Sequence, residues 1–143
     1  MRAISVYLAC LPLVLALFSG GCKEAAPEGP KPAGTVAFKT LKSGDHVKSP
    51  LEVCMTIEGL KVEPAGEVKE GSGHHHILVD VLLGDLGKPI PKDAEHIHLG
   101  DGSSCKTLEL KPGPHTLRLL FAKGDHVPYD PPVTASVDIV VDP

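Results

Sequence analysis

A chain of 143 residues has room for one domain, and its net charge of −4, with Lys and Asp/Glu interspersed, offers no basic face for nucleic acid. Aromatic residues make up only 3% and Trp is absent, which removes the stacking platforms used on sugars and single-stranded nucleic acids. Nucleic acid is therefore excluded as an expected partner.

In chain order, residues 1–21 read as an export signal: Arg2, an apolar run from Ala3 to Phe18, then the small residues Ser19-Gly20-Gly21. The run falls short of the roughly 20 apolar residues of a membrane span, and Pro12 interrupts it. Cys22 follows at the position where bacterial lipoproteins are acylated, although Ser19 stands where the lipobox usually has Leu. Residues 22–34 then form a Pro- and Ala-rich tether with nothing to bury. The expectation is an exported protein in the periplasm or outer membrane, touching the bilayer through its lipid anchor only; Lys23 after the cysteine favours the outer membrane by the bacterial sorting convention.

Residues 35–143 are expected to form the folded domain. Short apolar blocks bounded by Gly and Pro predict strands over Val36–Thr40, Leu51–Glu58, His75–Leu83, Glu95–Leu99, Lys106–Leu110, Thr116–Ala122 and Val133–Val141. About seven strands without a helical period predict an all-β, immunoglobulin-like sandwich. Leu51, Val53, Met55 and Ile57 alternate with Glu52, Cys54, Thr56 and Glu58, so Cys54 points outward; Cys105 is in phase with Thr107 and Glu109 and points outward too. Cys10 leaves with the signal and Cys22 takes lipid, so Cys54 and Cys105 remain as a pair expected to form a cross-strand disulfide in an oxidising compartment. The loop between Leu60 and Gly73 is either a functional lid or a plain connection.

The eight histidines are in excess for this length, and their spacing matters more than their number. In "GSGHHHILVD", strand phasing puts His74 and His76 on one face and His75 with Ile77, Val79 and Val81 on the other; His96 and His98 are likewise two apart. Two residues along a strand separate Cα atoms by roughly 6.5–7 Å, from which two imidazoles can bend to one ion. His74, His76, His96 and His98 are the first candidate metal ligands, with His115 and His126 second. Neutral imidazole suits Zn(II) or Cu(II), while the lone methionine after the signal, Met55, is expected in the core and gives no Cu(I) site. A buried hydrogen-bonded histidine network without metal stays open beside this, with a structural role and an envelope protein as partner. A metal-dependent enzyme is a further alternative, because an open coordination position is not legible in sequence. No Gly-x-Ser-x-Gly elbow or recognisable carboxylate pair is present, so no catalytic residue is assigned.

"GHHHILVD" at 73–80, "PIPKDAEHIHLGDGSS" at 89–104, "LELKPGPHTLRLLFAKGDH" at 108–126 and "VPYDPPV" at 127–133 together resemble a bacterial family of exported proteins, domain of unknown function 4399. The resemblance spans nearly all of 35–141 and implies a secreted β-sandwich of unassigned function. Its motif positions fall here on His74, His75, His76, Asp80, His96, His98, Gly100, Gly102, His115, Thr116, His126, Pro128, Pro131 and Pro132. Two positions depart from the family pattern: Ser104-Cys105-Lys106-Thr107 replaces a Gly-Gln-Thr segment, and Tyr129 stands where a histidine is usual.

Overall fold

The computed structural model describes residues 33–143, so the signal, Cys22 and nearly all of the tether lie outside the described residues. Nine strands follow: β1 (Thr35–Phe38), β2 (His46–Val47), β3 (Leu51–Glu58), β4 (Lys61–Val62), β5 (Ser72–Val79), β6 (His96–His98), β7 (Cys105–Leu108), β8 (Gly113–Ala122) and β9 (Pro128–Val141). There is no helix among the described residues. The small sheet has the order β1-β3-β7, and the large one β2-β9-β8-β5-β4, with β6 also pairing β5. The architecture is the immunoglobulin-like sandwich that the alternating pattern predicts.

The alternation that defines β3 also fixes the core. Val53 and Met55 point inward with Val36 and meet Ile77, Leu117, Phe121, Val137 and Ile139 of the large sheet. Fully burying each such side chain stabilises the fold by roughly 1.5–3 kcal/mol. A second, smaller cluster of Leu78, Ile90, Leu120 and Ala122 lies on the outer face of the large sheet, where the segment 80–95 folds back over it.

Two expectations are corrected. The strand predicted over His75–Leu83 begins earlier and ends at Val79, because Asp80 adopts a left-handed φ of 59° that no extended chain accommodates. The bend reverses the phase, so Val81 packs with the outer cluster and not with Ile77 and Val79 as alternation alone predicts. The side chain of Asp80 supports the bend: its Oδ1 accepts from the Thr116 amide at 2.8 Å and its Oδ2 stands 2.7 Å from His115 Nδ1. The short strands β2 and β4, two residues each, carry too little pattern to be foreseen.

Candidate metal centre

On β5 the histidine triplet splits between the two faces, as period two demands. His75 turns inward and meets Phe121 edge-on at 5.0 Å between ring centroids. His74 and His76 turn outward, in phase with Leu78, yet all three histidines are buried. Gly73, just before them, lets β5 and β8 approach closely: a Cβ there would run into the Ala122 carbonyl and the Phe121 ring.

Register supplies the third histidine. His98 of β6 is the direct cross-strand partner of His76, a relation that places Cβ atoms about 4.5–5.5 Å apart. Its ring folds back over Gly100, where a Cβ would land on the imidazole, so glycine is what permits this position of the ring. The fourth comes from the turn between β8 and β9. His126 has a left-handed φ of 70°, and its amide donates to the Lys123 carbonyl at 2.9 Å, closing a tight bend that tips the side chain over the sheet.

The Leu60–Gly73 loop is tied down by backbone hydrogen bonds at its middle. The Ala65 amide donates to the Gly100 carbonyl and the Gly66 amide to the Gly124 carbonyl, each at 2.9 Å. A Cβ on Gly124 would collide with the backbone of Gly66 and Glu67. The loop is a strap joining the segment that carries His98 to the turn that carries His126.

Four imidazoles thereby converge. The Nε2 atoms of His74 and His76 stand 3.0 Å apart, and those of His98 and His126 stand 3.1 Å apart. Ring centroids lie 4.7–5.0 Å apart for five of the six pairs and 5.9 Å for His76 with His126. One nitrogen from each of His74, His76 and His98 lies within 4.8 Å of the others, so this triad could hold a metal ion. For ligands at 2.0–2.1 Å, neighbouring nitrogens are about 3.3–3.4 Å apart in a tetrahedron and about 2.8–3.0 Å in a square plane. The two Nε2 pairs fall between these spacings.

Electrostatics keep the lone pairs free. Burial, reinforced by His126, His98 and His75, holds His74 down at about 4. Burial, then His74, His98 and His126, brings His76 to about 2. Burial also lowers His98, helped by His126 and Lys92. A metal binding near neutral pH displaces no proton from these rings.

Of the other histidines proposed from sequence, His96 and His115 are not brought to this cluster as ligands. His96 shares the outer face, but its Nδ1 is 2.6 Å from Asp93 Oδ1. The aspartate three residues earlier was the sequence signal for that. His115 lies at the far end of β5, with Nδ1 2.7 Å from Asp80 Oδ2 and Nε2 2.8 Å from the Lys111 carbonyl. Both partners are acceptors, so this arrangement calls for the imidazolium. Burial opposes the charge, but the Lys111 carbonyl and Asp80 outweigh it and raise the pKa. Cys54 and Cys105 are register partners joined by a disulfide on the small sheet. Tyr129, at the position where the related pattern has histidine, stacks on Phe121 and donates to the Ser72 carbonyl at 2.8 Å. It points away from the cluster.

Fold and site together define a β-sandwich that gathers imidazoles on the outer face of its larger sheet. The chain belongs to the family described as Domain of unknown function (DUF4399), whose model matches residues 53–142. No curated protein matches it. Among solved structures it is similar to "Structures of Clostridium thermocellum CbhA fibronectin(III)-like modules", at 16% identity and a TM-score of 0.46, over 78% of this chain and 48% of that one. This chain thus spans about half the length of that relative.

Proposed function

We propose that this protein is an exported, lipid-anchored envelope protein that binds Zn(II) or Cu(II) through His74, His76, His98 and His126. The observation that carries the reading is the pair of Nε2 contacts at 3.0 and 3.1 Å between buried or half-buried rings. As a hydrogen-bond network without metal, the cluster is poorly satisfied: Nδ1 of both His74 and His76 is buried without a partner among the described residues. A tetrahedral set of four nitrogens would leave Zn(II) no open position for an activated water, which for that ion favours storage, buffering or structural support over catalysis.

Export rests on the sequence of residues 1–21, and anchoring on Cys22. The disulfide supports an oxidising compartment. The deciding experiment is elemental analysis of the mature chain, made soluble by Cys22→Ser and purified without a tag from the periplasm, beside the His76→Ala/His98→Ala double variant. Near-stoichiometric zinc or copper in the parent and its loss in the variant is the expected result. A metal-free parent whose melting temperature stays unmoved by either ion would overturn the proposal. Fractionation of the unaltered protein against Cys22→Ser tests the anchor, with release from the membrane expected in the variant.

A further inference from the structure

His74 and His76 are fully buried, whereas His98 and His126 are half-buried, so an ion approaching from solvent meets the outer pair first. The two outer histidines stand on separate segments. His98 lies on β6, which pairs with β5, and His126 lies in the turn between β8 and β9; no strand pairing joins these segments among the described residues. The strap joins them instead. The Ala65 amide donates to the carbonyl of Gly100, two residues after His98, and the Gly66 amide to that of Gly124, two residues before His126. Consecutive donors of one loop thus hold both outer imidazoles in place.

The hold is local. No residue from Lys61 to Glu70 is buried, so the strap has little core packing of its own. Its remaining ties are the two-residue strand β4 along β5 and an exposed contact of 2.6 Å between Lys69 and Glu63, which contributes little in water. Segments with few buried contacts and exposed backbone hydrogen bonds open at a small fraction of the free energy of global unfolding. We propose that the strap gates the histidine site. Closed, it keeps His98 and His126 over the inner pair and raises ion affinity; open, it lets the outer rings part and releases the ion while the core stays folded. Ala65 and Gly66 are positioning residues, acting through Gly100 and Gly124. The inference rests on the metal reading, and linkage gives it a second face: an ion bridging His98 and His126 joins the same two segments, so binding and closure favour one another by the same factor.

The test uses the mature chain bearing Cys22→Ser, with Zn(II) and Cu(II) in turn. Hydrogen exchange is followed by mass spectrometry over the peptide containing Ala65 and Gly66. Saturation with ion is expected to slow exchange there by about tenfold or more, within the usual range of such couplings. Gly124→Ala approaches the same link from the other end. Gly124 has no left-handed φ, and the atoms nearest to a Cβ there all belong to the strap backbone, so the substitution displaces the strap and leaves the sheets in place. This variant is expected to bind ion about tenfold or more weakly in competition with a chromogenic chelator, while its melting temperature in chelator stays close to that of the parent. A parent that takes up neither ion removes the metal reading and this inference with it. A parent that binds, but whose exchange at the strap is unchanged by saturation, overturns the gate alone, as does a folded Gly124→Ala that binds as tightly as the parent. If Gly124→Ala unfolds in chelator, exchange in the parent decides by itself.

Discussion

Gly100→Ala is the most selective perturbation of the proposed site, because it moves one imidazole without removing any. A Cβ at residue 100 falls on the His98 ring, whereas the backbone there is in no left-handed conformation and tolerates a side chain. His98 is half-buried and its ring has an open side, so it can swing outward at little cost to the apo fold. We expect apo stability to change by less than about 0.5 kcal/mol, as for a surface substitution. Losing the orientation of one ligand among the converging nitrogens should weaken metal binding by about 10–100-fold, which is about 1.4–2.8 kcal/mol. The assay is competition against a chromogenic chelator for Zn(II) and Cu(II), with melts in chelator run in parallel and His98→Ala as the reference for full loss of that ligand. If Gly100→Ala binds as tightly as the parent while His98→Ala does not, the ring does not need its place over Gly100 and the geometric argument fails.

Three further outcomes are expected. His75 is buried against Phe121 with both ring nitrogens unpartnered, so His75→Leu should hold or raise apo stability by roughly 1–3 kcal/mol in chemical denaturation. Burial lowers His75 to about 4, so it lends stability that is present above its ordinary 6.5 and lost as pH falls through 4, on the order of 3 kcal/mol. The leucine variant should show a flatter acid limb, and an unchanged limb would contradict this. His115 has the opposite sign: its raised pKa contributes stability below 6.5 that fades as pH rises through the folded value. His115→Gln should therefore cost about 1–2 kcal/mol at pH 6 and less at pH 9, and an equal cost at both would show that charge plays no part. Reducing the disulfide, which joins cysteines 51 positions apart, should lower stability by up to about 4 kcal/mol on the chain-entropy estimate. Denaturation with and without reductant reads this directly.

Much of the fold was legible because β3 is solvated on one face and alternates cleanly from Leu51 to Glu58. The same period of two gave the inward turn of His75 and the outward turn of His74 and His76. What period cannot give is register. That His98, and not His96, stands opposite His76 depends on pairing set by the segment between β5 and β6, where Asp80 bends the chain. His96 held first rank because it shares a face with His98, and the phase was sound. Asp93 nevertheless takes one nitrogen of its ring. His126 held second rank because a loop residue has no period at all, and its left-handed bend depends on contacts with the strap, 60 residues earlier by sequence (Gly66 with Gly124 among them). The strap itself reads as an ordinary Gly- and Pro-containing connection until the two segments that it ties are placed.

The disulfide and the imidazoles occupy opposite outer surfaces of the sandwich, with the core of both sheets between them. Packed sheets lie about 10 Å apart, which is beyond the reach of a coordination bond. On the proposed metal reading, sulfur oxidation and ion capture are thereby separate events. On that reading Cys54 and Cys105 can be joined before or after the histidines meet an ion, and an ion held there has no neighbouring thiol among the described residues. On the proposed reading, in which the chain is exported and binds an ion, either order of the two events leads to the same end state.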